Sequence, residues 1–176
     1  MATNLFTLEQ NKVNYTGLAA RNLTQLIRMR KKTLVTMFDN YSNSQHRSAE
    51  IAIIKGIRFI DDAQAINPNM TWFMLESLSQ SIIWIMGAEN KYDLTQLVPT
   101  IREKVRIIIN CGNETNTNPF KNEVSTIINV SDLTQAVRTA FLYAAVGETV
   151  VFSPACGEKK QIIENANRFI KAVNEL

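Results

Sequence analysis

The sequence of 176 residues is poor in the residues on which many enzyme classes depend. Its two cysteines, Cys111 and Cys156, are too few for a disulfide-rich scaffold or a four-cysteine zinc site. The single histidine, His46, excludes a His-rich metal centre, and no G-x-S-x-G segment supplies the serine of a Ser-His-Asp triad. The six glycines form neither G-x-G-x-x-G nor G-x-x-x-x-G-K-S/T, so the chain has no phosphate-binding loop of its own. These absences argue against a complete nucleotide-driven enzyme.

Long apolar runs and a strong net charge are missing as well. No apolar stretch reaches the ~18 residues that a membrane helix needs. Lysine and arginine outnumber aspartate and glutamate by only 19 to 16, and the longest basic run, residues 28–32, is typical of a solvated helix end. The sequence therefore predicts neither a membrane partner nor a nucleic-acid partner. With 45% apolar and 20% charged residues, it is typical of a folded domain with a core.

What the sequence does contain is an alternation of helical and strand patterns. Apolar residues recur at helical spacing over residues 18–38. Short apolar segments at 49–54 and 57–60, joined by Lys55-Gly56, predict a β-hairpin. Further strands are predicted from three continuous apolar runs, which are typical of strands buried on both faces, and from one weaker pattern. They cover residues 82–86, 105–109, 149–152 and, more weakly, 125–129.

Helices are predicted between these strands. Ser131 is a good N-cap for one helix, which carries an apolar stripe from Leu133 to Ala144 and stops at Gly147. The polar stretch 110–118 is predicted to be a loop. The other helices are expected at 71–78 with Trp72, Leu75 and Leu78 on one side, at 93–102, around 119–122, and from 162 to 173. The pattern predicts an α/β fold, a Rossmann-like three-layer sandwich of about six strands, mostly parallel, with one antiparallel edge strand from the hairpin.

Polar segments follow the ends of the predicted strands. Because parallel strands place their carboxyl ends at one edge of a sheet, ligands usually bind beyond that edge. The segments in question are 61–67, 87–91, 110–113 and 153–157. Any binding or catalytic function is therefore expected in these four stretches.

Taken together, these stretches resemble the C-terminal domain of the Mur ligases. The family pattern has a His-Arg-x-Glu segment, a hairpin ending in Asn-Asp-Ser-Lys-Ala-Thr-Asn, a Gly-Gly-x-Asp-Lys turn and a Ser-Pro-Ala-Cys-Ala-Ser strand end. The corresponding segments here, in the same order and at matching intervals, are His46–Glu50, Asp61–Asn67, Gly87–Lys91 and Ser153–Glu158. The resemblance extends from about residue 14 to the end of the chain, and it points to the branch of the family that adds D-glutamate.

The resemblance implies that the chain is the C-terminal module of an ATP-dependent amide-bond-forming ligase. Such ligases join D-glutamate to UDP-N-acetylmuramoyl-L-alanine in cytoplasmic peptidoglycan synthesis, through an acyl phosphate made with ATP. Residues 1–45 would be a helical remnant of the central ATP-binding domain, and residues 46–176 would be the C-terminal domain. The N-terminal and central domains of a parent chain would be its partners. ATP and Mg²⁺ would bind only with the central domain, so this chain would not be active alone.

The same resemblance implies individual contacts, but no catalytic or metal-ligating residue in this chain. Arg47, Asp62 and Asn67 match nucleotide-contacting positions. An arginine there can stack on or hydrogen-bond the nucleotide, and a carboxylate can accept ribose hydroxyls. Lys91, in the turn after the predicted strand at 82–86, matches a lysine that would hold a carboxylate of the incoming amino acid through a charge-assisted contact. The substrate-contacting positions are Lys91, Ser153 and Glu158.

Three residues depart from the family pattern. Gln64 and Ile66 stand where the hairpin end has lysine and threonine, and Glu158 stands where the strand end has serine. A glutamate there would tend to repel a D-glutamate carboxylate. These departures support an alternative, a degenerate non-catalytic Mur ligase homologue that serves as a binding or interaction domain. A further alternative is an unrelated doubly wound domain that binds a small anion, and it requires that the hairpin is not an antiparallel edge of the main sheet.

Each candidate also has an ordinary structural explanation. Arg47 and Lys91 can be solvated surface charges, and Asp62 can brace the loop after the hairpin. His46 is expected to be structural rather than catalytic. Cys156 is expected to be a packed thiol, because nothing in its surroundings indicates a lowered pKa.

Overall fold

The structure is a computed structural model, and it describes residues 48–78, 81–87, 92–112 and 114–176. The helical pattern at 18–38 and the candidates His46, Arg47 and Lys91 lie outside the described residues. The domain boundary between residues 45 and 46 also lies there, and it stays a prediction. Within the described part, no helix is both long enough and apolar enough to cross a membrane.

Six strands in the described part of the chain form one mixed sheet. The strands are β1 (Ala49–Ile54), β2 (Ile57–Asp61), β3 (Ile82–Met86), β4 (Val105–Asn110), β5 (Thr126–Asn129) and β6 (Thr149–Phe152). Their order across the sheet is β1-β2-β6-β3-β4-β5. Every neighbouring pair is parallel except β1 and β2, which form the antiparallel hairpin at one edge. The predicted fold class is confirmed, and the alternative that required the hairpin to lie outside the sheet is contradicted.

The central strands form where apolar residues run without interruption. Every residue of β3 and of β6 is buried, and β4 is buried at all positions but one. Helices cover both faces of these strands, so side chains that point either way must be apolar. The edge strand β5 is covered less completely, and its residues are half-buried or exposed.

A two-residue turn at Lys55 and Gly56 closes the hairpin. The two residues have φ angles of 48° and 77°, the left-handed pair that a type I′ turn requires and that glycine adopts without steric cost. The Gly56 carbonyl accepts a hydrogen bond of 2.9 Å from the Gly147 amide, which ties the turn to the chain just before β6. The edge hairpin is therefore attached to the rest of the sheet at its tip as well as along β2.

Four α-helices within the described ranges complete a three-layer arrangement around this sheet. They are α1 (Pro68–Ser77), α2 (Val98–Lys104), α3 (Leu133–Tyr143) and α4 (Ile162–Asn174). Helices α1 and α2 pack over one face, against a core that includes Leu75, Trp84 and Ile101. Helices α3 and α4 pack over the other face, against a core that includes Phe152 and Phe169, whose rings are stacked with centroids 5.4 Å apart.

Helix α1 begins three residues earlier than the apolar spacing predicts. Pro68 occupies the first turn, where its missing amide costs nothing, and the Asn67 side chain accepts a hydrogen bond of 3.1 Å from the Met70 amide. Leu75 and Leu78 are buried in one core as predicted, but the buried side of the helix also includes residues that the spacing did not indicate. Thr71, Met74 and Leu75 are buried, whereas Trp72 is only half-buried at the margin of the core.

Three further details differ from the prediction. The N-cap of α3 is Asp132 rather than Ser131, because an Asp132 carboxylate oxygen accepts the Gln135 amide at 2.9 Å. The stretch predicted as a loop contains a 3₁₀ helix at Glu114–Phe120, so the short helix expected around 119–122 lies earlier in the chain. The helix expected at 93–102 consists of a 3₁₀ turn at Thr95–Leu97 followed by α2.

Candidate functional site

The carboxyl ends of four parallel strands meet at one edge of the sheet. Strands β2, β6, β3 and β4 are consecutive neighbours there, and backbone hydrogen bonds continue past the last strand residues. The Asp62 amide donates to the Phe152 carbonyl at 2.8 Å, and the Gly87 amide donates to the Pro154 carbonyl at 3.1 Å. The described starts of three of the four polar segments named from the sequence are thus held side by side, and Cys111, in the fourth, donates from its amide to the Met86 carbonyl at 3.2 Å.

Asp62 and Ser153, two of the predicted site residues, are in direct contact. Both are fully buried, and the Ser153 hydroxyl donates to Asp62 Oδ2 at 2.8 Å. The same hydroxyl lies 2.8 Å from the hydroxyl of Thr71, which is also fully buried. A second contact fixes the Ser153 backbone, since Trp84 Nε1 donates to its carbonyl oxygen at 2.7 Å. These side chains form a buried polar cluster that joins β2, β6, β3 and α1.

The segment between the hairpin and α1, residues 62–67, is here called the exit loop. Its turn is held by the Ala65 amide, which donates to the Asp62 carbonyl at 2.9 Å, and by the Ile66 amide, which donates to the Gln64 carbonyl at 2.8 Å. Gln64, Ile66 and Asn67 are half-buried, so they are the loop residues that reach the surface. The exit loop is therefore ordered by its own hydrogen bonds and presents three side chains at the edge where ligands are expected.

A cleft of about 650 Å³, here called the strand-end cleft, opens beside this loop. Its walls come from the ends of β3 and β6, from the turn after β6, and from the start of α4. The lining residues are Gly87, Tyr92, Pro154, Cys156, Gly157, Glu158, Gln161, Glu164, Asn165 and Arg168. A Cβ atom on Gly157 would lie 3.8 Å from Ile66 Cγ2, so the exit loop and the cleft are adjacent.

Glu158 lies in the cleft wall and is exposed there. Its side chain caps the 3₁₀ turn Lys159–Gln161, and its amide donates to Gln161 Oε1 at 3.1 Å. Its carboxylate also lies 2.8 Å from Lys160 Nζ, an exposed pair whose attraction is screened by solvent. The negative charge that departs from the family pattern is thus placed at the mouth of the cleft.

Sequence reasoning missed Arg168, which also lines the cleft. It extends from α4 and pairs with Glu164 at 2.5 Å, one helical turn earlier. The pattern Glu-x-x-x-Arg in a terminal helix is a common surface pair and carries no functional signal by itself. Only the packing of α4 beside the end of β6 brings this guanidinium to the cleft.

The segment beyond β4 has its polar groups engaged within the fold. Asn110 donates from Nδ2 to Asn129 Oδ1 at 2.8 Å and accepts from the Gly112 amide at 3.0 Å. Burial, together with the nearby Asp132 carboxylate, raises the pKa of the Cys111 thiol to about 12, so it is not a thiolate at neutral pH. Cys156 is buried, as predicted for a packed thiol.

Among the described residues, no group of three or more His, Cys, Asp and Glu side chains lies close enough to hold a metal ion. Of the six predicted site residues, Asp62 and Ser153 are in contact, Asn67 ends the same loop, and Glu158 lies in the adjoining cleft. Arg47 and Lys91 lie outside the described residues. The segments that carry the resemblance therefore converge on one edge of the sheet wherever they are described.

Several known proteins are similar in sequence to this chain. No protein-family model matches the sequence. The chain is 32% identical over 161 residues to a UDP-N-acetylmuramoylalanine–D-glutamate ligase of Christiangramia forsetii, an alignment that covers 89% of this chain and 36% of the relative. It is 29% identical over 185 aligned residues to the ligase of the same name from Bacteroides thetaiotaomicron, covering 97% of this chain and 42% of that relative. The chain thus spans about two fifths of the length of these curated relatives or less.

A solved structure shares the fold. It is a domain of a Haemophilus ducreyi protein named as a UDP-N-acetylmuramate:L-alanyl-gamma-D-glutamyl-diaminopimelate ligase. The match has a TM-score of 0.53 at 13% sequence identity and covers 72% of this chain and 99% of that domain. The relatives match most of this chain at about 30% identity, and the solved domain shares its fold, so both findings are consistent with a Mur ligase C-terminal domain.

Proposed function

We propose that the chain is the C-terminal module of an ATP-dependent ligase that adds D-glutamate to UDP-N-acetylmuramoyl-L-alanine. One observation carries the proposal: the similarity to two UDP-N-acetylmuramoylalanine–D-glutamate ligases extends over 89% and 97% of the chain. The module would act in cytoplasmic peptidoglycan synthesis, and through the cell wall it would affect cell shape and division. N-terminal and central domains would supply the rest of the active site, so the module would not be active alone.

In this proposal the exit loop faces the nucleotide. Arg47 would contact the nucleotide. Asp62 and Asn67, at the two ends of the loop, would contribute further nucleotide contacts. The described residues lack a cluster of metal ligands. Mg²⁺ and the phosphates of ATP would be held by a central domain with a phosphate-binding loop. When bound, ATP would activate the substrate carboxylate. The residues of this chain would bind and orient the nucleotide and the incoming amino acid.

The strand-end cleft would receive the incoming amino acid. Lys91 follows Gly87 by four positions, and Gly87 lines the cleft. We propose that the Lys91 ammonium holds a carboxylate of the amino acid, while Glu158 and Arg168 set the charge of the opposite wall. A charge-assisted hydrogen bond of this kind contributes about 1.5–3 kcal/mol, so its removal should weaken binding about tenfold or more.

Calorimetric titration tests the proposal, with D-glutamate for the 176-residue protein and with ADP for a parent ligase that includes the central domain. Each wild-type protein should bind its ligand, and Lys91→Ala should lose about tenfold or more in D-glutamate affinity while ADP affinity stays the same. Lys171→Ala is the matched control, because Lys171 is exposed on α4 outside the cleft and pairs only at 3.9 Å with Glu175. Absence of binding, with the control variants folded, would count against the ligase module.

A second candidate is the degenerate homologue that serves as a binding domain. The placement of Glu158 in the cleft wall favours it, since a carboxylate there opposes an acidic ligand. Glu158→Ser separates the two candidates. If the wild-type protein does not bind D-glutamate and the serine variant does, Glu158 prevents the binding of acidic amino acids. If both bind, and Lys91→Ala abolishes binding, the degenerate candidate is ruled out.

A further inference from the structure

We propose that Ser153 is a positioning residue rather than a substrate contact, and that with Thr71 it holds the exit loop in shape for ligand binding. One buried hydroxyl, just after β6, contacts both Asp62, the first residue of this loop, and Thr71 in the helix that follows the loop. The part of the inference that concerns the ligand rests on the proposed function, because it assumes that the loop contacts the nucleotide. The part that concerns the loop rests on the structure alone.

The hydrogen-bonded set of Asp62, Ser153 and Thr71 is here called the clamp. Ser153 Oγ lies 2.8 Å from Asp62 Oδ2 at the start of the loop and 2.8 Å from Thr71 Oγ1 in the first turns of α1. A hydroxyl has one proton. Because Ser153 donates its proton to Asp62, Thr71 must donate to Ser153. The donor-to-acceptor order therefore runs from Thr71 on α1, through Ser153 after β6, to Asp62 after β2. All three residues are fully buried, where a hydrogen bond is stronger and a lost partner costs more than in water.

The hydroxyl is itself held in place by the central strands. The Ser153 amide donates to the Ile85 carbonyl at 3.1 Å, and its carbonyl accepts from Trp84 Nε1 at 2.7 Å. The Trp84 ring is fully buried and packs edge to face against Phe120, with centroids 5.7 Å apart. The Ser153 backbone is therefore fixed to β3 in the middle of the sheet, and rotation of the hydroxyl would break its hydrogen bonds to Asp62 and Thr71.

The clamp adds to the loop's own hydrogen bonds, because it fastens Asp62, the first loop residue, to the end of β6. Beyond this anchor, Ala63 and Ala65 are buried, and Gln64, Ile66 and Asn67 are half-buried, so part of each of these three side chains is accessible. Ile66 lies beside Gly157 in the wall of the strand-end cleft. Fixing the loop at Asp62 and through the helix that follows it thus fixes the side chains that border the cleft, and Ser153 acts on a ligand through them.

Amide hydrogen exchange of the 176-residue protein tests the clamp without any ligand. Ser153→Ala and Thr71→Val should speed exchange of the Ala65 and Ile66 amides about tenfold, because both variants remove a link of the chain. Thr71→Ser keeps the hydroxyl and should leave these rates near the wild-type values. Thr71→Val also preserves side-chain volume, so it reports on the clamp even if Ser153→Ala does not fold.

Ser81→Ala is the matched control for a lost serine hydrogen bond. Ser81 donates to Glu148 Oε1 at 2.8 Å, at the opposite end of β3, and its loss should leave exchange in the exit loop unchanged. If Thr71→Val and Ser153→Ala leave the loop amides as protected as in the wild type, the clamp is refuted. If they raise exchange equally throughout the central strands, the effect is global destabilisation and the clamp is likewise refuted.

ADP titration of the same variants, made in a parent ligase that includes the central domain, tests the link to function. Thr71→Val should weaken ADP binding about tenfold, and Thr71→Ser and Ser81→Ala should not. Faster loop exchange with unchanged ADP affinity would overturn the positioning role and leave a purely structural brace. A wild-type protein that binds no ADP, but whose variants show faster loop exchange, would overturn the proposed function while the clamp itself stands.

Discussion

Gly87 shows how a single residue shapes the candidate site. It follows β3, and its amide donates to the Pro154 carbonyl across the cleft wall. A Cβ atom at this position would lie 2.7 Å from Pro154 Cβ and 3.0 Å from the Pro154 carbonyl oxygen, closer than atoms of ordinary side chains approach. The ends of β3 and β6 can therefore lie this close together only because residue 87 has no side chain.

Gly87→Ala should lower the free energy of unfolding by about 1–3 kcal/mol, because the added methyl group must displace the backbone at Pro154. Urea denaturation measures the loss, and the NMR shifts of residues 154–157 should move with it. Gly147→Ala is the control, since nothing lies within 4 Å of a Cβ there and its φ of 89° is the sole source of strain. An unchanged cleft spectrum in Gly87→Ala would contradict the steric argument.

At the scale of elements, Asn67 and Pro68 start helix α1 and so end the exit loop. Asn67 is extended, with φ −149° and ψ 161°, and its side-chain oxygen accepts the Met70 amide. Proline at the first helical position has no amide that needs a partner. These two residues place Thr71 one turn into the helix, where its hydroxyl reaches Ser153.

Asn67→Ala should lower the free energy of unfolding by about 1 kcal/mol, because the first turn of α1 loses its cap. Asn67→Ser keeps a capping oxygen and should lose much less, which urea denaturation of the three proteins can resolve. Equal stability of the alanine and serine variants would show that the cap contributes nothing. Loss of ADP affinity in both variants, with the cap retained in one, would assign Asn67 a ligand contact of its own.

Elements were predicted well where their pattern repeats and poorly where one hydrogen bond decides a boundary. The apolar runs of β3 and β6 are unbroken, so the sequence alone locates both strands. Ser131 and Asp132 are adjacent and equally able to cap α3, and only the backbone path shows that Asp132 accepts the Gln135 amide. The spacing of apolar residues predicts too late a start for α1, because it does not register the Asn-Pro pair that precedes the first apolar residues of the helix.

At the scale of the whole molecule, the Glu148 carboxylate links three segments of the chain at the edge of the sheet opposite the candidate site. Arg106 on β4 donates to it from Nε and Nη2, each at 2.6 Å, and the Ala145 amide and Ser81 hydroxyl donate to it at 2.8 Å each. Burial raises the pKa of this carboxyl, but the hydrogen bonds and the charge of Arg106 outweigh burial and hold the pKa below its ordinary value of 4.5. The ionised form is therefore the one that the folded state prefers.

Glu148→Gln should lower the free energy of unfolding at neutral pH by about 2 kcal/mol, because the bidentate contact with Arg106 loses its charge. A carboxyl whose folded pKa is lowered stabilises the protein above its unfolded pKa, and this stabilisation is lost as the pH falls through the folded pKa. The difference between wild type and variant should therefore be constant well above pH 4.5 and shrink below it. Urea denaturation of both proteins across this range measures the difference.

Other carboxyls also titrate with a lowered pKa, so only the difference between the two proteins isolates Glu148. These groups are Glu76, Asp93, Glu123 and Asp132. Their contributions are common to both proteins and cancel in the comparison. A difference that does not depend on pH would mean that Glu148 acts through packing rather than through its charge.

The sequence by itself determined the order of the elements, the fold class and the edge at which polar segments collect, because unbroken apolar runs and turn residues act locally. It also placed Asp62 and Ser153 near each other, since parallel strands end on one side. Only the tertiary structure decided that both are buried, that Thr71 joins them, and that Arg168 reaches the cleft. Those facts depend on contacts between residues up to 91 positions apart, and such contacts form only when the layers pack.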